Sequence, residues 1–224
     1  MYNLMNPFGL NRNNDKDYSI KVLGEASVTA KPDQVIVSLG VVTKDKNVKS
    51  AKDENSLLSN QVIKGLQRIG INEGDIETTT YTINPMYDYL DGKKNLRGYE
   101  VKHMFKITIN DISKVSEVID VATEKGANVI NYIRFEVSNP DFYYNKALEK
   151  AIINAREKGK VIAQTLGVNI NKIPLRVSEK DLDKGIRYFE MSKLAVTNST
   201  TPIQLGSIKI ISKVSVLFQY ENFE

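Results

Sequence analysis

At 224 residues, with a net charge of +4 and a pI near 9.0, the chain is long enough to bury a substantial core and only mildly basic. It holds 0 Cys, 0 Trp and 1 His, which excludes disulfides, thiolate nucleophiles, Cys-ligated metals and any multi-His zinc site. Hydrophobic content of 41% and charged content of 26% are ordinary globular values, and basic residues interleave with acidic ones, as in KDKNVKSAKDE, so they read as solvated faces.

Residues 1–18 are Asn-rich and polar, dotted with Leu4, Met5, Phe8 and Leu10, and read as a flexible N-terminal arm. They lack a basic n-region followed by an apolar h-region, so the expected location is cytoplasmic. No apolar run is long enough to span a bilayer as a helix. Residues 19–224 are expected to form a single α+β domain. Strand signals begin at Tyr18, with Gly24-Glu25-Ala26 interrupting Ile20, Val22 and Val28. After Pro32-Asp33, the residues Val35, Val37, Leu39 and Val41 alternate with Gln34, Ile36, Ser38 and Gly40, a strand whose second face is also partly buried at Ile36.

From Asn47 to Ile69 an apolar stripe recurs at helical spacing and includes Asn55, a polar residue that needs partners if buried. Gly70 closes that helix. Gly70 to Asn110 reads as a long β-hairpin around Asp91-Gly92. A tight turn there would set Tyr81 and Ile83 opposite Lys102 and Glu100, apolar against polar. A one-residue register change repairs this, so the expectation is a three- or five-residue loop centred near Lys93, or a bulge. A helix from Ser113 to Lys125 and a strand from Asn131 to Ser138 follow. A long helix then runs from Pro140 to about Leu166, with Ala147, Ala151, Ala155, Gly159 and Ala163 four apart as a ridge for close approach to a sheet or partner helix. A short strand is predicted at Ile173–Val177, a long loop at about 179–206, and a last strand from Ile208 to Phe218 with a bulge near Ser212. The order from Val35 to Val137, β-α-β-β-α-β, is the ferredoxin-like plan, extended by an N-terminal strand, the Ala-rich helix and C-terminal strands.

Several motifs occur together in order: Gly24-Glu25, Pro32-Asp33, the helix Asn55, Gly70-Ile71 before Asp75-Ile76-Glu77-Thr78, Pro85-x-Tyr87, Gly98-Tyr99, Gly126-Ala127-Asn128, the ALEKAIINAREKGKVIAQTLG helix and Thr201-Pro202-Ile203. Over residues 20–221 the chain resembles the SIMPL-domain family, which includes bacterial proteins described as periplasmic immunogenic or oxidative-stress defence proteins. The resemblance implies an α+β fold, ring-like or channel-like oligomers, and a role in oxidative-stress tolerance or in binding protein partners. It brings no established active site.

Three chemical readings compete with that one. Asp75 and Glu77, with Glu73 near, would share a strand face and could do acid–base work or hold a cation. His103 is the one imidazole a triad could use, but no GxSxG elbow accompanies it. Arg97-Gly98-Tyr99 begins an RNP1-like match on the third core strand, as in an RNA-binding RRM, and the match fails from Glu100 onward. The favoured expectation is a non-enzymatic, self-assembling protein with protein partners, with no catalytic, cofactor or metal residue assigned and no nucleic-acid partner or membrane span expected. The hairpin tip, Met86 to Leu96, is left free to meet a partner.

Overall fold

The structure is a computed structural model that describes residues 18–90, 93–189 and 206–221. In chain order its elements are β1 (Ser19–Ala30), β2 (Gln34–Asp45), α1 (Val48–Arg68), β3 (Ile76–Leu90), β4 (Lys93–Ile109), α2 (Val115–Glu124), β5 (Val129–Glu136), α3 (Pro140–Leu166), β6 (Asn169–Ile170), β7 (Arg176–Phe189) and β8 (Ser207–Glu221). The class is α+β, as the strand and helix signals imply. The described residues group into two compact units, one centred on residues 29–143 and the other on 18–28, 144–185 and 210–221. The arm at 1–17 and residues 190–205 of the late polar segment lie outside the described residues.

The first unit holds an antiparallel sheet in the order β3-β4-β2-β5. This is the strand order of the ferredoxin-like plan read from the sequence. Directly opposed residues on antiparallel strands share a face. Val35, Val37 and Leu39 stand opposite Ile109, Ile107 and Phe105, and all six pack with Val62 and Leu66 of α1 and Val118 and Ala122 of α2. Both helices therefore cover the same face. On the other face Ile36 and Met104 are also buried, which accounts for the apolar residue at Ile36.

Polar side chains tie these elements at their ends. Asn47 caps α1 by accepting from the Lys49 and Ser50 amides at 2.8 and 3.4 Å. Asn55, fully buried, donates to the carbonyls of Val41 at 3.0 Å and Val101 at 3.1 Å, and accepts from Ser59. It thereby links α1 to β2 and β4 at once. Asn128 exchanges two 2.8 Å hydrogen bonds with the backbone of Val42, extending the β5 edge by a side-chain amide. Asp33 accepts from the amide and hydroxyl of Ser138, at 2.6 and 2.9 Å. The helix predicted from Ser113 begins instead with a 3₁₀ turn, Ile112–Lys114, whose cap is Asp111 accepting from Ser113. Those hydrogen bonds hold the Asp111 carboxyl below its ordinary range.

The hairpin solves its register problem with bulges. Leu90 faces Lys93, so only residues 91 and 92 join the arms, and the longer loop centred near Lys93 is not formed. Tyr87 faces Leu96 while Met86 faces Gly98, leaving Arg97 as the extra residue. That single insertion moves Tyr81 and Ile83 from the polar face onto His103 and Val101. A second bulge at Thr79 shifts the register back before Thr78 meets Phe105. Gly98 sits beside the first bulge, where a Cβ would come 2.6 Å from the Asp45 carbonyl oxygen.

In the second unit β8 pairs with β1, β6 and β7. The ridge of Ala147, Ala151, Ala155, Gly159 and Ala163 is buried, and Ala151, Ala155 and Ala163 pack with Val22, Val214, Val216 and Phe218. Its partner is thus this chain's own sheet. Gly24 does not interrupt β1: a Cβ there would lie 2.1 Å from the Ala151 carbonyl oxygen, so the missing side chain lets helix and strand touch. Two expectations change here. The strand placed at Ile173–Val177 overlaps β7 only at Arg176 and Val177, and β6 precedes it, where Asn169 and Ile170 pair with Glu221 and Tyr220. The loop expected from 179 is strand up to Phe189. The stumble at Ser212 does not change the buried face: Ile208, Ile210, Ser212, Val214, Val216 and Phe218 are all buried, with Ser215 buried between two of them.

Replacing Asn55 with Leu keeps bulk but strips the Val41 and Val101 carbonyls of a donor, and is expected to lower unfolding free energy by about 2 kcal/mol in urea melts. A loss below about 0.5 kcal/mol would mean the amide is dispensable. Gly24→Ala should cost about 1–3 kcal/mol by overpacking. Gly74→Ala, where a Cβ would meet nothing within 4 Å, serves as its control.

Candidate functional site

The carboxylates nominated by sequence do not assemble. Asp75 ends a 3₁₀ turn, Glu73–Asp75, and is held by Asn72 at 3.1 Å, so it does not alternate with Glu77 along a strand. Glu77 faces Lys106 across β3 and β4 and pairs with it at 2.7 Å. That hydrogen bond and charge raise the Lys106 ammonium above its ordinary value. His103 shares the helix-covered face with Val41, whereas Glu77 and Lys106 lie on the opposite face. Thr78 Oγ1 lies 3.0 Å from His103 Nε2, and the imidazole is wedged edge-on to Tyr81 and tilted against Phe105, with centroids 5.1 and 4.2 Å away. This is a packed, hydrogen-bonded histidine. Among the described residues no three His, Asp or Glu cluster to cage a metal ion.

The RNP1-like positions do not make a stacking platform. Arg97 is the bulge residue and lies 3.7 Å from Asp88; Tyr99, opposite Asp45, points to the helix side. The other face of β2 and β4 presents Ile36, Ser38 and Gly40 against Thr108, Lys106 and Met104, with no ring for a base.

What the sheet does expose is the hairpin. Pairing of β2 with β4 ends at Asp45 and Tyr99, so both hairpin strands outrun their neighbour and continue as a two-stranded arm from Met86 to Gly98. Alternation puts Tyr81, Ile83, Tyr87 and Tyr89 on one face, with Leu96 opposite Tyr87. All are exposed, Tyr89 the most at 71%. Lys94 Nζ caps the Tyr87 ring 3.8 Å from its centroid. Among the described residues β3 is also an edge strand, 15 residues long, paired with β4 alone. Exposed rings beside a long strand edge form an apolar patch larger than scattered surface residues make.

The sequence reading misses a second feature. In the second unit a cavity of about 380 Å³ lies between the last turns of α3 and β6, lined by Arg156, Lys160, Lys172 and Phe218 among others. Only the four-residue spacing of Arg156 and Lys160 hinted at two cations on one helix face.

Residues 20–218 match the SIMPL family, described as protein of unknown function (DUF541). The chain is 27% identical over 212 residues to the 26 kDa periplasmic immunogenic protein of Brucella melitensis, covering 89% of this chain and 84% of that protein. It is 29% identical over 202 residues to the uncharacterized protein YggE of Escherichia coli K12, covering 88% and 81%. It is 22% identical over 214 residues to the interleukin-1 receptor-associated kinase 1-binding protein 1 homolog of Xenopus laevis, covering 92% and 80%. The cytoplasmic location expected from the N-terminal sequence finds no support here, since the Brucella protein is periplasmic by name. Among the described residues no helix is long and apolar enough to cross a membrane.

Burial holds the His103 imidazole below its ordinary value of 6.5. The unfolded chain therefore binds this proton more readily than the folded one. Stability is full above pH 6.5 and falls as pH drops through the folded value. His103→Phe should flatten that slope between pH 7 and 5 in urea melts; an unchanged slope would assign it to other groups.

Proposed function

The chain belongs to the SIMPL family, and from that premise we propose that it acts as a non-enzymatic, self-assembling protein whose hairpin binds a second copy of itself. The observation that carries this reading is the exposed stripe of Tyr81, Ile83, Tyr87, Tyr89 and Leu96 beside the edge of β3 that no described strand pairs with. Large rings and Leu are costly to leave in water and carry most of the energy in protein interfaces. The arm also presents Asp88 with Arg97, and Lys94, at its rim, so two arms related by a two-fold axis can exchange ion pairs around an apolar centre. The small-residue ridge on α3, an argument for assembly on sequence grounds, is spent on the chain's own sheet and adds nothing here.

A role in binding other proteins has separate support: the Xenopus relative is named for binding a kinase. The link to oxidative-stress tolerance comes through the family resemblance alone. With 0 Cys the chain cannot scavenge by thiol chemistry, so that link is an indirect one, through partners. An enzyme or cation-binding protein using Asp75 and Glu77 gains nothing from their placement, because each has its own neutral or cationic partner.

Light scattering across a size-exclusion column should give a mass that is a multiple of the 25.2 kDa chain. The triple variant Tyr87→Ser, Tyr89→Ser, Leu96→Ser should return the monomer while keeping the far-ultraviolet circular dichroism of the parent. A strict monomer from micromolar to millimolar concentration overturns the reading, as does full assembly of the triple variant.

A further inference from the structure

We propose that the cavity between the C-terminal turns of α3 and strand β6 is a binding site for a small amphiphilic anion, an aryl or alkyl group carrying a single carboxylate, sulfonate or phosphate head. Its volume of about 380 Å³ falls within the range of small-molecule sites. Three cations from two elements border it: Arg156 and Lys160, one turn apart on α3, and Lys172, just beyond β6. No acidic residue lines it among the described residues. Among the described side chains Glu157 is the carboxylate that competes for them, 3.0 Å from Lys160 and 3.8 Å from Arg156. Among the described side chains three cations stand against this one carboxylate, so the lining is net positive.

The C-terminal end of a helix carries about half a negative charge, which works against an anion there. That term is smaller than the cationic excess, and two of the carbonyls involved are already satisfied. Gly167 and Val168 donate to the Gln164 and Ala163 carbonyls at 3.2 and 2.9 Å, closing α3 with a left-handed glycine. This turn also carries the chain back so that Asn169 and Asn171 line the same cavity as Gln164, three side-chain amides able to donate to a head group.

The floor is apolar and fixed. Phe218 and Ile170 pack against Gly159, so tightly that a Cβ there would lie 3.0 Å from the Phe218 ring and 3.3 Å from Ile170. The small residues at 159 and 163 thus let the ring come up under the helix, and Ala163 leaves room beside it. A charged head among the rim cations and an apolar body on the Phe218 ring use both halves of the lining. A purely inorganic anion would leave the floor wet, and a neutral apolar ligand would leave the cations unused.

The probe is 8-anilinonaphthalene-1-sulfonate, titrated into the full chain and followed by fluorescence, with N-phenyl-1-naphthylamine as the analogue lacking the sulfonate. The expected result is saturable binding of one sulfonate probe per chain. The double variant K160Q/K172Q should weaken it about tenfold, because charge-assisted contacts to the head are lost. The neutral analogue should change less than about twofold. E157Q should tighten the sulfonate probe by removing the carboxylate that pairs with Lys160. These rim residues are exposed, so an unchanged thermal melt shows that the fold is retained. Failure of the sulfonate probe to saturate, or equal affinity in parent and K160Q/K172Q with the fold retained, overturns the proposal. These results are read on the second unit's residues alone and leave the hairpin-assembly reading standing or falling on its own test.

Discussion

The single extra residue at Arg97 decides what the hairpin is. In a sheet the side chains alternate, so sliding one strand by one residue moves every side chain to the other face. Across the two-residue connection at 91 and 92, an uninterrupted ladder would set Tyr81 against Lys102 and Ile83 against Glu100. The bulge sets them against His103 and Val101 instead, and Phe105 and Ile107 of the same strand then pack under the helices. The bulge costs one unpaired backbone position and adds twist. In return it keeps the rings of β3 on one continuous face from the core to the tip. Gly98 is the residue that permits it, since any Cβ would press on the Asp45 carbonyl.

The same logic governs the polar residues that mark the family. Asn55, Asn128 and Asp33 each satisfy backbone groups at places where the ladders or helices stop supplying partners. Asn55 does this from a fully buried position, where an unpaired amide would be costly, and so it fixes how α1 meets the sheet. Asn128 imitates a strand residue with its side chain. A residue kept for such a task looks, in a bare sequence, like a candidate ligand.

Patterns that depend on neighbours in the chain were therefore legible, and patterns that depend on distant partners were not. Alternation in β2 and β4, the helical stripe of α1, the ridge of α3 and the order of elements all come from local periodicity, and they are enough to specify the ferredoxin-like sheet. The need for a register shift was legible too, because Tyr81 against Lys102 is wrong on its face. Its form was not, since a loop and a bulge repair the parity equally. Gly24 reads as a turn until α3 lies on it. Ser212 reads as a break because its side chain is polar, although its place in β8 is set by burial. The segment from 179 to 189 lacks alternating hydrophobicity, yet forms strand because β8 offers it an edge to pair with. The cavity beside Phe218 was the least legible. It needs a helix end, a two-residue strand and a ring from β8 brought together from three parts of the chain.

This division bears on where function can reside. Every ionisable group that sequence reading put forward is occupied: Asp75 by Asn72, Glu77 by Lys106, His103 by Thr78 and two rings. A general base needs a proton to take and room for a substrate beside it, and these groups have neighbours already in place. The remaining surfaces are of another kind, an apolar hairpin face and a cation-rimmed cavity. Both rest on exposed side chains, rings on the one and cations on the other. Each is also produced by a device that the core does not need. The arm from Met86 to Gly98 outruns the sheet, and the turn at Gly167 folds the chain back under a helix whose Gly159 and Ala163 have no bulk. A chain required only to fold could shorten the first and fill the second: the one change removes exposed apolar surface and the other buries more of it.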